Sequence, residues 1–208
     1  ITWGGLDVEL GSRIEVSLKE LDGIMGQIEL QYLATRQTED GRTETYEVTD
    51  DFTLKWNEQR IYMMDFDRRV NEIFTGNRDC LSGKRILLGI TADDKVSAKS
   101  SPNGKQIGFR TNRDLWLYDQ DNRDLVSIFS FRSQENSSKV EYDQHDVKIL
   151  QVSDNGDVDF LVYGYMNRGR REGQVGIGLY HYSDADSALE ERFFAPFITT
   201  YEDLRLDL

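Results

Sequence analysis

Cysteine is almost missing from this 208-residue chain. Cys80 stands alone, so no disulfide can close within the chain and no cysteine cluster can hold a metal. A lone cysteine of this kind reads as a small buried hydrophobe rather than a nucleophile. Basic residues are also in short supply, 25 Lys and Arg against 38 Asp and Glu, for a formal net charge of −13. Nucleic-acid affinity rests on clustered cations that neutralise backbone phosphates, so nucleic acid is excluded as the expected partner. Docking on anionic lipid is disfavoured for the same reason. His145 and His181 are too few and too scattered for a recognisable metal or hydrolase site. Neither His-Glu-x-x-His nor Gly-x-Ser-x-Gly occurs. No apolar run is long enough to span a bilayer, so direct membrane insertion by this segment is not expected. No cofactor or metal is expected.

Present instead are ten Tyr, ten Phe and 17 Gly, with only two Pro, a composition that suits strands joined by tight turns. Apolar residues recur at every second position through most of the chain. Ile14, Val16 and Leu18 alternate, as do Ile28, Leu30 and Tyr32, then Tyr46 and Val48, then Phe52, Leu54 and Trp56. Period two marks a strand with one buried face. Turn signals separate the runs: Asp22-Gly23, residues 38–42, Asn57-Glu-Gln59 and Asp67-Arg-Arg69. Residues 85–90 (RILLGI) are nearly all apolar and predict a strand buried on both faces. Further strands are expected over 106–110, 115–118, 125–132, 147–152, 158–165, 175–182 and 189–194. No long helix is expected.

Three segments line up as a repeat. Residues 62–74, 117–129 and 182–194 each end a strand in aromatics, pass through Asp-x-Asp, and enter an apolar strand that closes on Phe. The pairs are Asp65/Asp67, Asp119/Asp121 and Asp184/Asp186. Asn103-Gly104 and Asn155-Gly156 form a second marker, each opening a strand. A period of about fifty residues carrying four short strands is the signature of a propeller blade. The expected fold is therefore all-β and propeller-like: about three four-stranded blades at 43–80, 81–139 and 140–195, preceded by N-terminal strands in 1–42. Residues 196–208 would start a following unit. A β-sandwich is the alternative. The chain opens on Ile1 and stops inside an alternating run, Tyr201-Glu-Asp-Leu-Arg-Leu-Asp-Leu208, so an incomplete propeller cut from a longer protein is expected.

Ser101-Pro-Asn-Gly-Lys-Gln-Ile-Gly-Phe109, followed by Asp114-Leu-Trp-Leu-Tyr-Asp119, resembles the blade motif of TolB-type and related WD40-like β-propellers. The match covers one blade well. Ser153-Asp-Asn-Gly156 replaces the Pro turn in the next, and the first has no such turn. The resemblance implies a fold and a habit of binding proteins or small ligands, and it carries no catalytic residues. Residues 163–182 also resemble a stretch in membrane-anchored proteins of Gram-positive anaerobes, which implies an extracytoplasmic setting.

Two local features could carry chemistry. The Asp-x-Asp pairs could hold a hard cation through several oxygens. The competing reading is that Asp caps its own turn, which three copies at equivalent hairpins favour. The loop Met166-Asn-Arg-Gly-Arg-Arg-Glu-Gly-Gln174 is a local basic cluster in an acidic chain. Loops on a rigid scaffold are where binding concentrates, so Arg168, Arg170 and Arg171 are the candidate contacts to a partner or an anion. The competing reading is a solvated hairpin tip. The function these features imply is a non-catalytic module for protein interaction or ligand sensing. A carbohydrate-active or other hydrolytic propeller enzyme is the alternative, and it would need two carboxylates at a set spacing.

Overall fold

The computed structural model describes residues 3, 7–77, 80–82, 85–92, 96–132, 142 and 144–207. These residues form four antiparallel sheets, none closed into a barrel, and one short helix. The chain divides into two compact units, Ile1–Asp94 and Lys95–Leu208.

The first unit is built on a five-stranded sheet of β1 (Val8–Leu10), β2 (Glu15–Asp22), β3 (Met25–Gln37), β4 (Thr43–Trp56) and β5 (Ile61–Glu72). β1 and β2 share one edge of β3, pairing with its C-terminal and N-terminal parts, while β4 takes the other edge. The strands of residues 8–37 and 43–72 thus belong to one sheet. Ala34, Tyr46 and Val48 are buried on one face, with Trp3, Val8 and Val70 packed against them.

Two expected breaks in this unit are absent. Residues 43–56 run as one strand, and so do residues 61–72, straight through Asp67-Arg-Arg69. Cross-strand ion pairing explains the second case. Arg68 donates to both oxygens of Asp50, from Nε at 2.6 Å and Nη2 at 2.7 Å, and Arg69 Nη2 donates to Asp51 Oδ2 at 2.8 Å. Opposite charges on facing strands stabilise the pairing instead of ending it. Asp65 lies beside a bulge in this ladder, opposite Thr53, so Asp65 and Asp67 are strand residues and not a hairpin turn.

Residues 85–90 also depart from expectation. Only β7 (Arg85–Ile86) is strand, paired with β6 (Leu81–Ser82), and Leu87 and Ile90 are each 55% exposed. Gly89 has φ of 79°, outside the extended region, and the strand does not continue through it. Ile90 instead bonds to Glu72: its carbonyl accepts from Glu72 N at 2.6 Å and its N–H donates to Glu72 Oε2 at 3.1 Å.

The second unit holds two four-stranded meanders. One is β8 (Ser97–Ser100), β9 (Gln106–Thr111), β10 (Asp114–Asp119) and β11 (Asp124–Phe129); the other is β12 (His145–Val152), β13 (Val158–Tyr165), β14 (Val175–Ser183) and β15 (Ala188–Pro196). A common core joins them, with Leu115, Leu117 and Phe129 from the first and Ile149, Phe160 and Val162 from the second. Gly108 permits the approach of β9 to β12, since a Cβ there would lie 3.0 Å from the Val152 side chain. Phe160 is fully buried, its ring 5.7 Å from that of Phe129.

The turns of the two meanders correspond. Gly104 N donates to Ser101 O at 2.9 Å and Gly156 N to Ser153 O at 3.1 Å, so both Asn-Gly motifs close the same turn. The hairpins after β10 and β14 are equivalent too, but Asp119 pairs with Asp124 where Ser183 pairs with Ala188. Ser183, and not Asp184, therefore occupies the position of Asp119. The repeated Asp-x-Asp text is out of register by one residue with the repeated backbone.

The end of the chain is helical over Tyr201–Asp207, not extended. Thr200 caps it: Asp203 N donates to Thr200 Oγ1 at 3.3 Å, and Thr200 Oγ1 donates to Asp203 Oδ2 at 2.8 Å. This reciprocal cap starts a helix where the alternating apolar pattern alone suggests a strand. The helix packs on β13, with Leu204 buried and the Tyr201 ring stacked on Tyr163.

Candidate functional site

The basic loop of residues 166–174 joins β13 to β14. Its base is closed by two backbone bonds: Met166 N donates to Gln174 O at 2.9 Å, and Gly173 N to Met166 O at 3.0 Å. Met166 and Asn167 at its entry are buried, and Asn167 Nδ2 donates to Tyr142 O at 2.7 Å. The tip is thus presented on a fixed stem.

The loop forms one wall of a cleft of about 610 Å³. Residues 127–132, leaving β11, form a second wall, and Tyr180, Leu189 and Glu191 complete it from β14 and β15. All three arginines expected from the sequence line this cleft, joined by Arg132. Met166, Ile128, Phe129 and Phe131, all largely buried, also border the cleft, so its lining residues are both apolar and cationic.

The arginines divide by role. Arg171 donates to Glu191 Oε1 from Nη2 at 2.8 Å and from Nε at 3.1 Å, and its guanidinium lies 4.7 Å from the Phe194 ring centroid. That hydrogen bonding holds the Glu191 carboxyl below its ordinary range and raises Arg171 in turn. Arg132 Nη1 donates to Asp114 Oδ2 at 2.6 Å and to Asn112 O at 2.8 Å. Arg168 meets only a carbonyl, Ser130 O, at 3.3 Å from Nη2. Arg170 is exposed and makes no hydrogen bond or ion pair among the described residues. Among the described residues, two positive charges in the wall therefore have no carboxylate hydrogen-bonded to them, although the Arg170 charge is felt by Glu191, in a chain of strongly negative net charge.

Tyr180 is the feature that sequence reasoning missed. Its ring stacks on Phe160 at 5.6 Å and 18°, and its hydroxyl donates to Glu191 Oε2 at 3.3 Å. Burial, then the nearby Glu191 charge, push the phenol up to about 12. The ring lies across Gly178, where a Cβ would sit 2.6 Å from it. The available signal was Gly176-Ile-Gly178 inside a strand: paired glycines on one face mark a place where another group comes close.

The Asp-x-Asp motifs do turn work where they lie in turns. Asp119 Oδ1 accepts from Asp121 N at 2.8 Å and Asn122 N at 3.0 Å, and Asp121 pairs with Lys105 at 2.7 Å. No group of three or more His, Cys, Asp or Glu side chains gathers to hold a metal among the described residues. His181 Nδ1 lies 2.7 Å from Asp159 Oδ1, bonding across the sheet. His145 is buried in the core, its ring centroid 4.5 Å from that of Phe131 in an edge-to-face arrangement.

No family model matches this chain, and no curated protein sequence matches it.

Proposed function

We propose that this chain is a non-catalytic interaction or ligand-sensing module of β-propeller type, which holds an anionic group of a small ligand or partner protein in the cleft beneath residues 166–174. One observation carries the reading: Arg168 and Arg170, on a closed loop, line a cleft with no carboxylate hydrogen-bonded to either among the described residues. A cleft with low-dielectric walls and a surplus of positive charge, here four arginines against Glu191, concentrates anions. Propeller assembly is supported by the two successive four-stranded meanders that share a core and repeat the Asn-Gly turn.

The hydrolytic alternative has less support. Glycoside cleavage uses two carboxyl groups across the scissile bond. Among the described lining residues Glu191 is the one carboxylate, and Arg171 clamps it in the ionised form. The setting we propose is extracytoplasmic, as part of a larger membrane-anchored protein. No described helix is long and apolar enough to cross a membrane; the anchor we propose belongs to sequence outside this segment.

Affinity capture from a native cell envelope tests the reading. Wild-type protein is expected to retain a protein or small molecule that Arg168→Glu/Arg170→Glu releases. Equal recovery by both, or glycoside turnover that Glu191→Gln abolishes, overturns it.

A further inference from the structure

We infer that the cleft's ligand is a small carboxylate with a flat apolar body, an inference that rests on the anion-binding reading above. Size speaks first. Small-molecule sites run to several hundred cubic ångströms, and about 610 Å³ is far more than a bare inorganic ion fills. The lining must therefore recognise a body as well as a charge.

Charge comes second. Guanidinium forks match the planar, bidentate geometry of a carboxylate, and among the described residues Arg168 and Arg170 are the cleft forks not hydrogen-bonded to a carboxylate. The same cleft keeps the ionised Glu191 in its wall, and the chain is at −13 overall. Repulsion and the pull of Arg168 and Arg170 both scale with ligand charge, so charge selects an anion, and the planar fork selects the two coplanar oxygens of a carboxylate over a tetrahedral phosphate.

The body is decided by Tyr180. Phe160 holds its ring from one side, Glu191 holds its hydroxyl, and Gly178 leaves the space that the ring occupies. A ring fixed in this way is a stacking platform prepared before the ligand arrives, which lowers the ordering cost of binding. Leu189, 43% exposed, borders the same cleft and offers apolar surface beside it.

Calorimetry on the whole chain tests this with five probes: 3-phenylpropionate, 3-phenylpropylamine, phenyl phosphate, inorganic phosphate and acetate. Saturable binding of 3-phenylpropionate is expected, with phenyl phosphate weaker and the amine silent. Arg168→Gln/Arg170→Gln should weaken 3-phenylpropionate by about tenfold or more, the loss of at least one charge-assisted hydrogen bond. Tyr180→Leu should weaken it while leaving the weak binding of acetate unchanged. Circular dichroism and thermal melting confirm that each variant folds. If a phosphate probe binds more tightly and still needs Arg168 and Arg170, the ligand class is wrong and the anion-binding reading stands. If no anionic probe binds and envelope capture is also unchanged by the arginine variants, both fall.

Discussion

Arg171 and Glu191 meet through a two-pronged hydrogen bond, 2.8 Å from Nη2 and 3.1 Å from Nε to the same oxygen, that ties the loop of residues 166–174 to β15. The loop's third arginine is thus part of the scaffold, while Arg168 and Arg170 are left to face the cleft. Arg171→Gln is expected to lower the melting temperature and to raise hydrogen exchange in residues 168–173. Arg168→Gln and Arg170→Gln should leave both unchanged. A double-mutant cycle with Glu191→Gln should give a larger favourable coupling for Arg171, which is hydrogen-bonded to it, than for Arg170, whose charge reaches it only through space.

Acid should destabilise the second unit in two stages. Burial holds the His145 imidazole well below its ordinary 6.5, and the charges of Arg113 and Arg132 push the same way. The unfolded chain then binds a proton that the fold refuses. His145 therefore contributes full stability above pH 6.5, lost as pH falls toward the depressed folded value, with a slope approaching about 1.4 kcal/mol per pH unit. Glu191, also depressed, keeps its contribution above 4.5 and loses it as pH falls further. Urea midpoints across this range measure both, and His145→Leu should flatten the upper stage.

Gly164 sits at φ of 108°, where a Cβ would lie 2.8 Å from both the His145 Cα and the Tyr201 ring, and closer still to the Gln144 carbonyl. Gly164→Ala combines backbone strain with overpacking and should cost about 2–5 kcal/mol. Urea unfolding gives the loss, and proteolysis near Tyr201 should report release of the helix.

Thr200→Ala removes the hydroxyl that caps the same helix and should cost about 1 kcal/mol. Thr200→Ser should restore most of it, which separates capping from any effect of side-chain volume.

Arg123 adopts φ of 54° in the hairpin between β10 and β11. Left-handed backbone strains a residue with a Cβ, so Arg123→Gly should stabilise by about 0.5–1 kcal/mol after the added unfolded-state entropy is counted. A raised urea midpoint with unchanged slope is the expected result.

Much of the second unit was legible in the text of the chain. Period-two alternation placed β9 through β15 to within a few residues, because a half-buried strand writes its face into every second side chain. Asn-Gly and Asp-rich turns marked the hairpins, because the required backbone angles are met within four residues. The first unit misled at Asp67-Arg-Arg69, where three charged residues resemble a turn. Asp50 and Asp51 on the neighbouring strand neutralise Arg68 and Arg69, and the strand continues.

The basic loop shows the same division. Composition alone singled out Arg168, Arg170 and Arg171 as one group, and placed them on a connection between two strands. Which of them is available to a ligand was not in that text. Glu191 lies twenty residues along the chain from Arg171 and reaches it only because β14 and β15 pair. Tyr180 reaches the cleft only because Gly178 yields the space and Phe160 backs the ring. Local sequence determines turns and strand faces, since these depend on near neighbours. Partnership between charges is decided by register across strands, and only the folded sheet supplies it.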